Sequence, residues 1–308
     1  MIIVTGGAGF IGSNLVHRLV TDGEDVVVID SCESGTGFSE NNLRGVADKI
    51  EFIRADIGDY EKTKHAIKEA EKIYNLAGIT SHTASMQNPL KDVEKNLASQ
   101  VNFLENCRRL NDRAFIVFTG TRSQYGIPTR NPVPEEERLR PLDANGINKT
   151  AAEMYHLLYS DSYGMDAVCL RLANIYGPRM PTNNKQLGFV GYFIGQAMRG
   201  IDIEVFGGQQ KRDLLYVEDL LDAVEMMDRK HRGQVFNVGS GNAVTIMKVA
   251  ETICGITGTR FKKVDYPHEN KKLEVGDFIS DISKIKKLGW SASVTIEEGL
   301  QKTIQEIS

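Results

Sequence analysis

A glycine-rich turn at the start of the chain constrains the fold more than any other feature. Residues 2–5 form a short apolar, β-branched run typical of a buried strand, and residues 13–20 have the apolar spacing of a helix. The closely spaced glycines between the two are Gly6, Gly7, Gly9 and Gly12. Residues without side chains let the backbone approach a pyrophosphate, and the helix directs its first N–H groups and its dipole at that anion. The sequence therefore predicts a strand–turn–helix unit that binds a dinucleotide.

An aspartate at the end of the next strand indicates which dinucleotide is bound. Val26–Ile29 is a second buried strand, and Asp30 follows it directly. A carboxylate there accepts hydrogen bonds from an adenosine ribose and repels the additional phosphate of NADP. We therefore expect NAD(H) as the cofactor. The alternative, a tight turn that only packs a strand against a helix, leaves both the glycines and Asp30 unexplained.

Composition excludes several classes of protein. The chain has 308 residues and a net charge of −4, with no basic block of the kind that nucleic-acid-binding proteins carry. No apolar stretch approaches the roughly 20 residues that span a bilayer, so no membrane association is expected. Because the first residues already form a core strand, a cleavable signal sequence is not expected either, and the predicted location is the cytoplasm.

The cysteines point to no metal site and no disulfide framework. They are separated widely in the sequence and form no Cys-x-x-Cys pair: Cys32, Cys107, Cys169 and Cys254. We expect reduced thiols and no metal ion.

Strand and helix patterns alternate through the first half of the chain. The further predicted strands are 49–54, 72–77, 114–119 and 167–172, and the predicted helices are about 92–111 and about 146–163. Such alternation predicts an α/β fold with a doubly wound parallel sheet of the Rossmann type.

The second half predicts a smaller interleaved α/β cap. The pattern loosens over 178–211, a helix is expected over 215–227, and a strand over 233–238 is expected to rejoin the sheet. The predicted NAD-binding domain therefore comprises 1–177 and 212–238, and the predicted substrate-binding cap comprises 178–211 and 239–308. Such a fold places a ligand cleft at the carboxyl ends of the strands.

Several ordered motifs resemble those of one known family. They are Thr5–Gly12, Asn75–Gly78, Arg171–Pro178 and Val205–Asp219. The chain resembles the extended short-chain dehydrogenase/reductase superfamily, and within it the NAD-dependent nucleotide-sugar epimerases and dehydratases of the UDP-glucose 4-epimerase type. The resemblance covers nearly the whole chain. It implies bound NAD, a nucleotide-diphosphate sugar as substrate, and a homodimer formed through helices near 95–111 and 149–163.

The resemblance also implies ligand-binding residues. Those expected at the cofactor are Gly6, Gly9, Phe10, Ile11, Gly12, Asp30, Ser31, Asp56, Ile57, Leu76, Ala77, Gly78, Asn96 and Lys149. Those expected at the substrate are Arg122, Asn174, Phe206 and Arg212. Among them, Asn174 and Arg212 would contact the diphosphate and Phe206 the base. Structural alternatives stay open: a surface ion pair of Arg212 with Asp213 or Asp219, a turn cap at Asn174, and a core position for Phe206.

The expected reaction centre departs from the family pattern. Family members use a Ser or Thr, a Tyr, and a Lys four residues after the Tyr, so that Tyr and Lys share one helix face. Thr121 and Lys149 match, but Asn145 occupies the tyrosine position. Asparagine can donate and accept hydrogen bonds but has no useful proton to exchange as a general base. Three hypotheses follow: a substitute base, either Lys149 or His82; an altered chemistry; or a site that binds its ligands and turns over poorly. In the first, Asn145 orients substrate or water.

The residues after Thr121 help to select the reaction. Dehydratases of the family carry Asp-Glu there and decarboxylases carry a glutamate, whereas this chain has Arg122-Ser123. Arg122 would bind a substrate carboxylate or phosphate, or pair with Glu135–Glu137. An arginine that relatives place before Gly276 is absent, and Lys271 or Lys272 is a candidate replacement. The sequence therefore favours epimerisation, with dehydratase or decarboxylase chemistry and a weakly catalytic binding protein as alternatives.

Overall fold

The computed structural model describes residues 1–264 and 276–307; Lys271 and Lys272 lie outside this part. Its strands are β1 (Ile2–Thr5), β2 (Val26–Asp30), β3 (Glu51–Arg54), β4 (Lys72–Asn75), β5 (Phe115–Thr121), β6 (Ala167–Leu172), β7 (Asn174–Tyr176), β8 (Ile203–Phe206), β9 (Lys211–Tyr216), β10 (Val235–Val238), β11 (Ala243–Thr245) and β12 (Phe261–Val264). Its α-helices are α1 (Phe10–Thr21), α2 (Tyr60–Glu69), α3 (His82–Gln87), α4 (Pro89–Val93), α5 (Ser99–Leu110), α6 (Ala144–Tyr163), α7 (Phe189–Met198), α8 (Val217–Glu225), α9 (Ile246–Thr257), α10 (Ser283–Lys286) and α11 (Ile296–Ile307).

The main sheet has the strand order β10-β6-β5-β4-β1-β2-β3. Strand β1 runs parallel to both of its neighbours, with Thr5 opposite Ile29 of β2 and Asn75 of β4. The chain therefore reverses its direction of strand addition between β1 and β4, which is where doubly wound sheets bind ligands at the carboxyl ends of their strands. The predicted doubly wound parallel fold is confirmed.

The core explains why these segments are strands. The inner strands are short runs rich in Val and Ile, and residues such as Val4, Ile29, Ile73 and Ile116 are fully buried. A parallel sheet covered by helices on both faces requires such continuous apolar runs. Burial of this kind fixes the register in which the strand ends meet.

Two elements differ from the sequence prediction. The helix expected over 215–227 is wrong at its start, because Lys211–Tyr216 is strand β9 and the helix begins at Val217. A buried apolar run suits a strand and a helix equally well, and pairing of β9 with β7 and β11 decides between them. The helix expected over 92–111 is interrupted by a π-helical turn over Glu94–Ala98, which carries Asn96 inside the protein.

The chain divides into two compact units. The first comprises Met1–Gln124, Asp143–Arg171 and Val224–Val235, and the second comprises Tyr125–Leu142, Leu172–Ala223 and Phe236–Ser308. The second unit takes residues 125–142, 172–177, 212–223 and 236–238, which the sequence boundaries placed with the cofactor. The division into a cofactor domain and a substrate cap stays a prediction. Among the described helices, none is long and apolar enough to cross a membrane.

Candidate active site

The glycine turn after β1 is packed so tightly that side chains would not fit. Gly6 has a φ of +68°, and a Cβ on it would lie 3.0 Å from the carbonyl oxygen of Leu76. A Cβ on Gly12 would overlap the Gly6 carbonyl oxygen and lie 2.7 Å from Gly7 Cα. Helix α1 begins directly after Gly9, so the N–H groups of its first turn have no carbonyl of their own helix to bond. The turn can therefore present its backbone to an anion.

Replacement of Gly12 by alanine is expected to weaken NAD binding by at least about tenfold and to lower the stability of the protein, because the new methyl group displaces the turn. Titration calorimetry with NAD and thermal unfolding measure the two effects. Gly255→Ala is the matched control, since Gly255 also lies in a helix and nothing is within 4 Å of its Cβ position. Unchanged NAD affinity in Gly12→Ala would contradict the assigned role of the turn.

Asp30 stands at the end of β2, where the sequence predicts a ribose contact. Its carboxylate accepts hydrogen bonds from the amides of Ala8 (3.0 Å) and Cys32 (2.8 Å), so it ties the glycine turn to the strand. Burial raises the pKa of Asp30, and the two amides oppose that shift. Ser31, directly after it, is exposed.

Asp56 and Ile57 follow β3. Asp56 accepts hydrogen bonds from the Gly58 amide (3.0 Å) and the Lys95 ammonium (3.1 Å). Burial raises the pKa of Asp56, but these donors bring it below its ordinary value. The Ile57 side chain packs in the apolar core, which leaves its backbone for the predicted adenine contact.

The segment Leu76–Gly78 after β4 brings Asn96 and Lys149 together. A Cβ on Gly78 would lie 2.6 Å from Asn96 Oδ1 and 2.7 Å from Lys149 Nζ. Asn96 accepts from the amide of Ile79 and donates to its carbonyl, both at 3.0 Å. Two predicted cofactor residues from distant helices therefore meet at one glycine.

Lys149 is a buried amine next to the carboxyl ends of β4 and β5. Its Nζ lies 3.4 Å from the carbonyl oxygens of Ala77 and Thr119 and 5.3 Å from the Phe118 ring centroid. Burial lowers the pKa of Lys149 to about 8, and the Asp92 carboxylate acts in the opposite direction. Such an amine gives up a proton near neutral pH far more readily than a surface lysine does.

Asn145 occupies the position of the missing tyrosine and is 2% exposed. Its Nδ2 donates to the carbonyl of Ile79 at 2.6 Å and to Asp92 Oδ2 at 3.3 Å. The fully buried Asp92 also accepts from Asn148 Nδ2 at 2.8 Å. Asn145 and Asn148 therefore stabilise a buried carboxylate, a task that a tyrosine side chain at position 145 would not perform in the same way.

Thr121 ends strand β5 and is held by a chain of buried polar groups. Its amide donates to Gln124 Oε1 at 2.7 Å, and Gln124 Nε2 donates to Glu153 Oε2 at 2.9 Å. The Arg171 guanidinium binds the same carboxylate through two hydrogen bonds of 2.9 and 2.6 Å. The buried Arg171–Glu153 ion pair therefore holds Gln124, and Gln124 fixes the backbone amide of Thr121, a predicted catalytic residue.

His82 opens helix α3. Its Nδ1 lies 2.7 Å from Asp143 Oδ2. Burial raises the pKa of Asp143, but the hydrogen bond from His82 and the charge of Arg122 help to bring it below its ordinary value. His82, Asp143 and Arg122 therefore form a polar group next to the first turn of α6.

The second unit carries the other three predicted substrate residues. Asn174 opens β7 and lies opposite Leu214 in β9. Arg212, on β9, is 7% exposed and donates through Nη1 to the carbonyls of Lys211 (3.0 Å) and Gly276 (2.7 Å). Phe206 ends β8 and is 38% exposed, so it does not lie in the core.

Comparison with known proteins identifies the family. Residues 2–239 match the NAD dependent epimerase/dehydratase family. The chain belongs to this family.

Different relatives of the chain within the epimerase/dehydratase family are named for different activities. A putative UDP-glucose 4-epimerase of Methanocaldococcus jannaschii is 31% identical over 99% of this chain and 97% of its own. UDP-glucuronic acid decarboxylase 1 of Arabidopsis thaliana is 31% identical over 99% of this chain and 69% of its own. The crystal structure of Thermotoga maritima UDP-glucose 4-epimerase with UDP-glucose is 31% identical, with a TM-score of 0.90 over 99% of this chain and 98% of its own.

Membership of the epimerase/dehydratase family agrees with the geometry at the carboxyl ends of the strands in the main sheet. NAD is the cofactor. The glycine turn, Asp30, Asp56 and the Gly78 contacts would hold it, and these residue assignments stay predictions. Its relatives are nucleotide-sugar enzymes, among them epimerases and decarboxylases. Among the described residues, no cluster of His, Cys, Asp or Glu could hold a metal ion.

The fold brings to the site several residues whose roles were not predicted from the sequence. They are Asp92, Asp143, Asn148, Glu153 and Arg171. Asp143 carried a local signal, because an Asp before a helical pattern is a typical N-cap. Arg171 begins the motif Arg171–Pro178, but its ion pair with Glu153 is not part of that motif. The contacts of the other three residues likewise join separate segments of the chain, so no local pattern marks them.

Proposed function

We propose that the protein epimerises a nucleotide-diphosphate sugar by transient hydride transfer to NAD⁺. When bound, NAD⁺ would supply hydride-transfer chemistry: it would accept a hydride from the sugar carbon, and the hydride would return to the opposite face of the ketone. Thr121 hydrogen-bonds the reacting oxygen, and Lys149 holds the cofactor ribose and tunes proton transfer. Arg122, Asn174, Phe206 and Arg212 are the proposed substrate contacts.

The observation that supports this proposal most is the burial of the Lys149 amine, with the lowered pKa that results from it. A buried amine whose pKa is near 8 lies against the carbonyl of Thr119, two residues before Thr121 on the same strand. The carboxylates that a dehydratase or decarboxylase carries after the threonine are replaced here by Arg122-Ser123. A reaction with no net redox change and no loss of water or CO₂ needs neither carboxylate.

A panel of nucleotide sugars tests the proposal. The purified protein is incubated with each sugar, products are followed by NMR, and the cofactor is followed by its absorbance near 340 nm. We expect a stereoisomer of one sugar and no lasting NADH. Ligand binding without any product would favour the second candidate, a weakly catalytic NAD and nucleotide-sugar binding protein.

The buried contacts of Asn145 are the observation that favours this second candidate, because they commit the amide to Ile79 and Asp92. Asn145→Tyr distinguishes the two. We expect no gain in turnover and a loss of about 1–3 kcal/mol in the free energy of unfolding, since Asp92 loses a donor. Steady-state kinetics and urea unfolding measure both. A gain in turnover with tyrosine would mean that the site is a decayed epimerase.

A homodimer is also proposed, supported by exposed apolar side chains on the first unit. On α3 and α4 these are Met86, Leu90 and Val93, and on α6 they are Ile147, Met154, Tyr155 and Leu158. Light scattering is expected to give a dimer for the wild type and a monomer for Met154→Glu/Leu158→Glu, with Ile256→Glu as the control on the second unit. A wild type that stays monomeric at micromolar concentration would contradict the dimer. The expected cytoplasmic location stays a prediction.

A further inference from the structure

The segment from Ile79 to His82 is fixed to the start of helix α6 at both of its ends. At its first end, the carbonyl of Ile79 accepts from Asn96 (3.0 Å) and from Asn145 (2.6 Å). Three residues later, His82 Nδ1 meets Asp143 Oδ2 at 2.7 Å. Asp143 is two residues before Asn145, so the imidazole lies at the same helix end as the position of the missing tyrosine.

Asp143 is held independently of His82. It is the N-cap of α6, and its Oδ1 accepts from the Gly146 amide at 2.7 Å. Its side chain is 10% exposed, whereas that of His82 is 47% exposed. One oxygen therefore fixes the carboxylate on the helix and leaves the other to orient the ring.

This arrangement decides which ring nitrogen can act as a base. An ionised carboxylate only accepts hydrogen bonds, so a neutral His82 ring must carry its proton on Nδ1. Nε2 then keeps a lone pair, and among residues 1–264 and 276–307 it has no partner. The charge of Arg122 also acts on the pair, because it helps to lower the pKa of Asp143.

We infer that the His82–Asp143 pair performs the proton transfer that the missing tyrosine would otherwise perform, with His82 as the base and Asp143 as its positioning residue. The inference rests on the proposed epimerisation. Nε2 takes the proton of the reacting hydroxyl while the hydride of the same carbon leaves to NAD⁺. When the hydride returns, Nε2 gives the proton back to the same oxygen, so the protein ends the cycle unchanged.

His82→Gln tests the base, because glutamine can keep a hydrogen bond to Asp143 but cannot take up a proton. We expect kcat to fall by about 10²–10⁴-fold with KM within about threefold. In His82→Ala, imidazole added to the buffer is expected to restore turnover, since the side chain is half-exposed and its removal opens a space to solvent. His65→Gln, an exposed histidine on α2, is the control.

Asp143→Asn tests the positioning residue. Asparagine caps a helix as well as aspartate does, so α6 is kept. The Nδ2 that replaces Oδ2 donates to Nδ1 of His82, so the ring carries its proton on Nε2 and loses the lone pair that would act as the base. We expect kcat to fall by at least about tenfold in the wild-type background and not at all in His82→Gln. Ring-nitrogen NMR of the protein without ligands is expected to find the proton on Nδ1 in the wild type and on Nε2 in Asp143→Asn.

The outcomes separate this inference from the proposed function. Wild-type turnover that survives His82→Gln, or a His82→Ala variant that imidazole does not restore, would overturn the role of the pair alone. Absence of wild-type turnover with every nucleotide sugar would overturn the proposed epimerisation and this inference with it.

Discussion

Lys149→Met is expected to lower turnover by about 10²–10⁴-fold and, at the same time, to stabilise the protein without cofactor at neutral pH. Burial lowers the pKa of Lys149 to about 8, against an ordinary value near 10.5, and Asp92 offsets part of that shift. Each pKa unit corresponds to about 1.4 kcal/mol, so holding the charged amine inside the protein costs on the order of 3 kcal/mol. Methionine fills a similar volume without a charge.

The stabilisation has a definite pH dependence. Below pH 8 the amine is protonated in both the folded and the unfolded chain, so the folded wild type bears the whole cost. Between pH 8 and about 10.4 the folded chain releases the proton and the unfolded chain retains it, so the wild type becomes more stable relative to Lys149→Met. The difference between the two proteins therefore shrinks across this window.

Urea unfolding of both proteins from pH 7 to pH 10 measures that difference. Lys68→Met, at an exposed position on α2, is the control and should give a difference from the wild type that does not change with pH. Two results would show that the lowered pKa assigned to Lys149 is wrong. One is a Lys149→Met variant that is less stable than the wild type at pH 7, and the other is a stability difference that does not change with pH.

Arg171→Met is expected to be among the most destabilising single substitutions, at about 3–5 kcal/mol. The side chains of Arg171 and Glu153 are 6% and 1% exposed and share two hydrogen bonds. Without the guanidinium, the Glu153 carboxylate is left inside the protein with Gln124 as its remaining donor among these groups. Because Gln124 also holds the amide of Thr121, turnover is expected to fall as well.

The double variant Glu153→Gln/Arg171→Met provides the matched comparison. It removes both charges, so much of the lost stability should return, within about 1–2 kcal/mol of the wild type. Lys62→Met, which breaks a surface pair with Asp59, is expected to change little. Urea unfolding checks all three, and an Arg171→Met variant as stable as the Lys62→Met variant would contradict the account of this pair.

The cofactor end of the site could be predicted from the sequence because its signals are local. A strand, a glycine turn, a helix and a terminal acid follow one another within the first 30 residues, and the structure keeps them in that order. The sheet was predictable for the same reason, since its central strands β1 and β2 are continuous apolar runs and the others have apolar residues at their centres. Strand β9 is the exception, because its apolar residues continue into helix α8 without a break.

The catalytic end could not be predicted to the same degree. The sequence identifies Asn145 as a departure from the family pattern, but not its bonds to Ile79 and Asp92, which lie 66 and 53 residues away. His82 and Asp143 are likewise separated by 61 residues. Pairings of this length depend on how the helices pack, and no pattern in the chain records them.

The central claim is that a sugar hydroxyl is oxidised and reduced again with no other change to the substrate. The most direct test is turnover of the nucleotide sugar found in the panel, carried out in D₂O and analysed by mass spectrometry and NMR after return to H₂O. The hydride travels between carbon and cofactor and does not exchange with water. We expect a stereoisomer with the mass of the substrate and no deuterium on carbon. Deuterium on carbon, or a product that has lost water or CO₂, would contradict it.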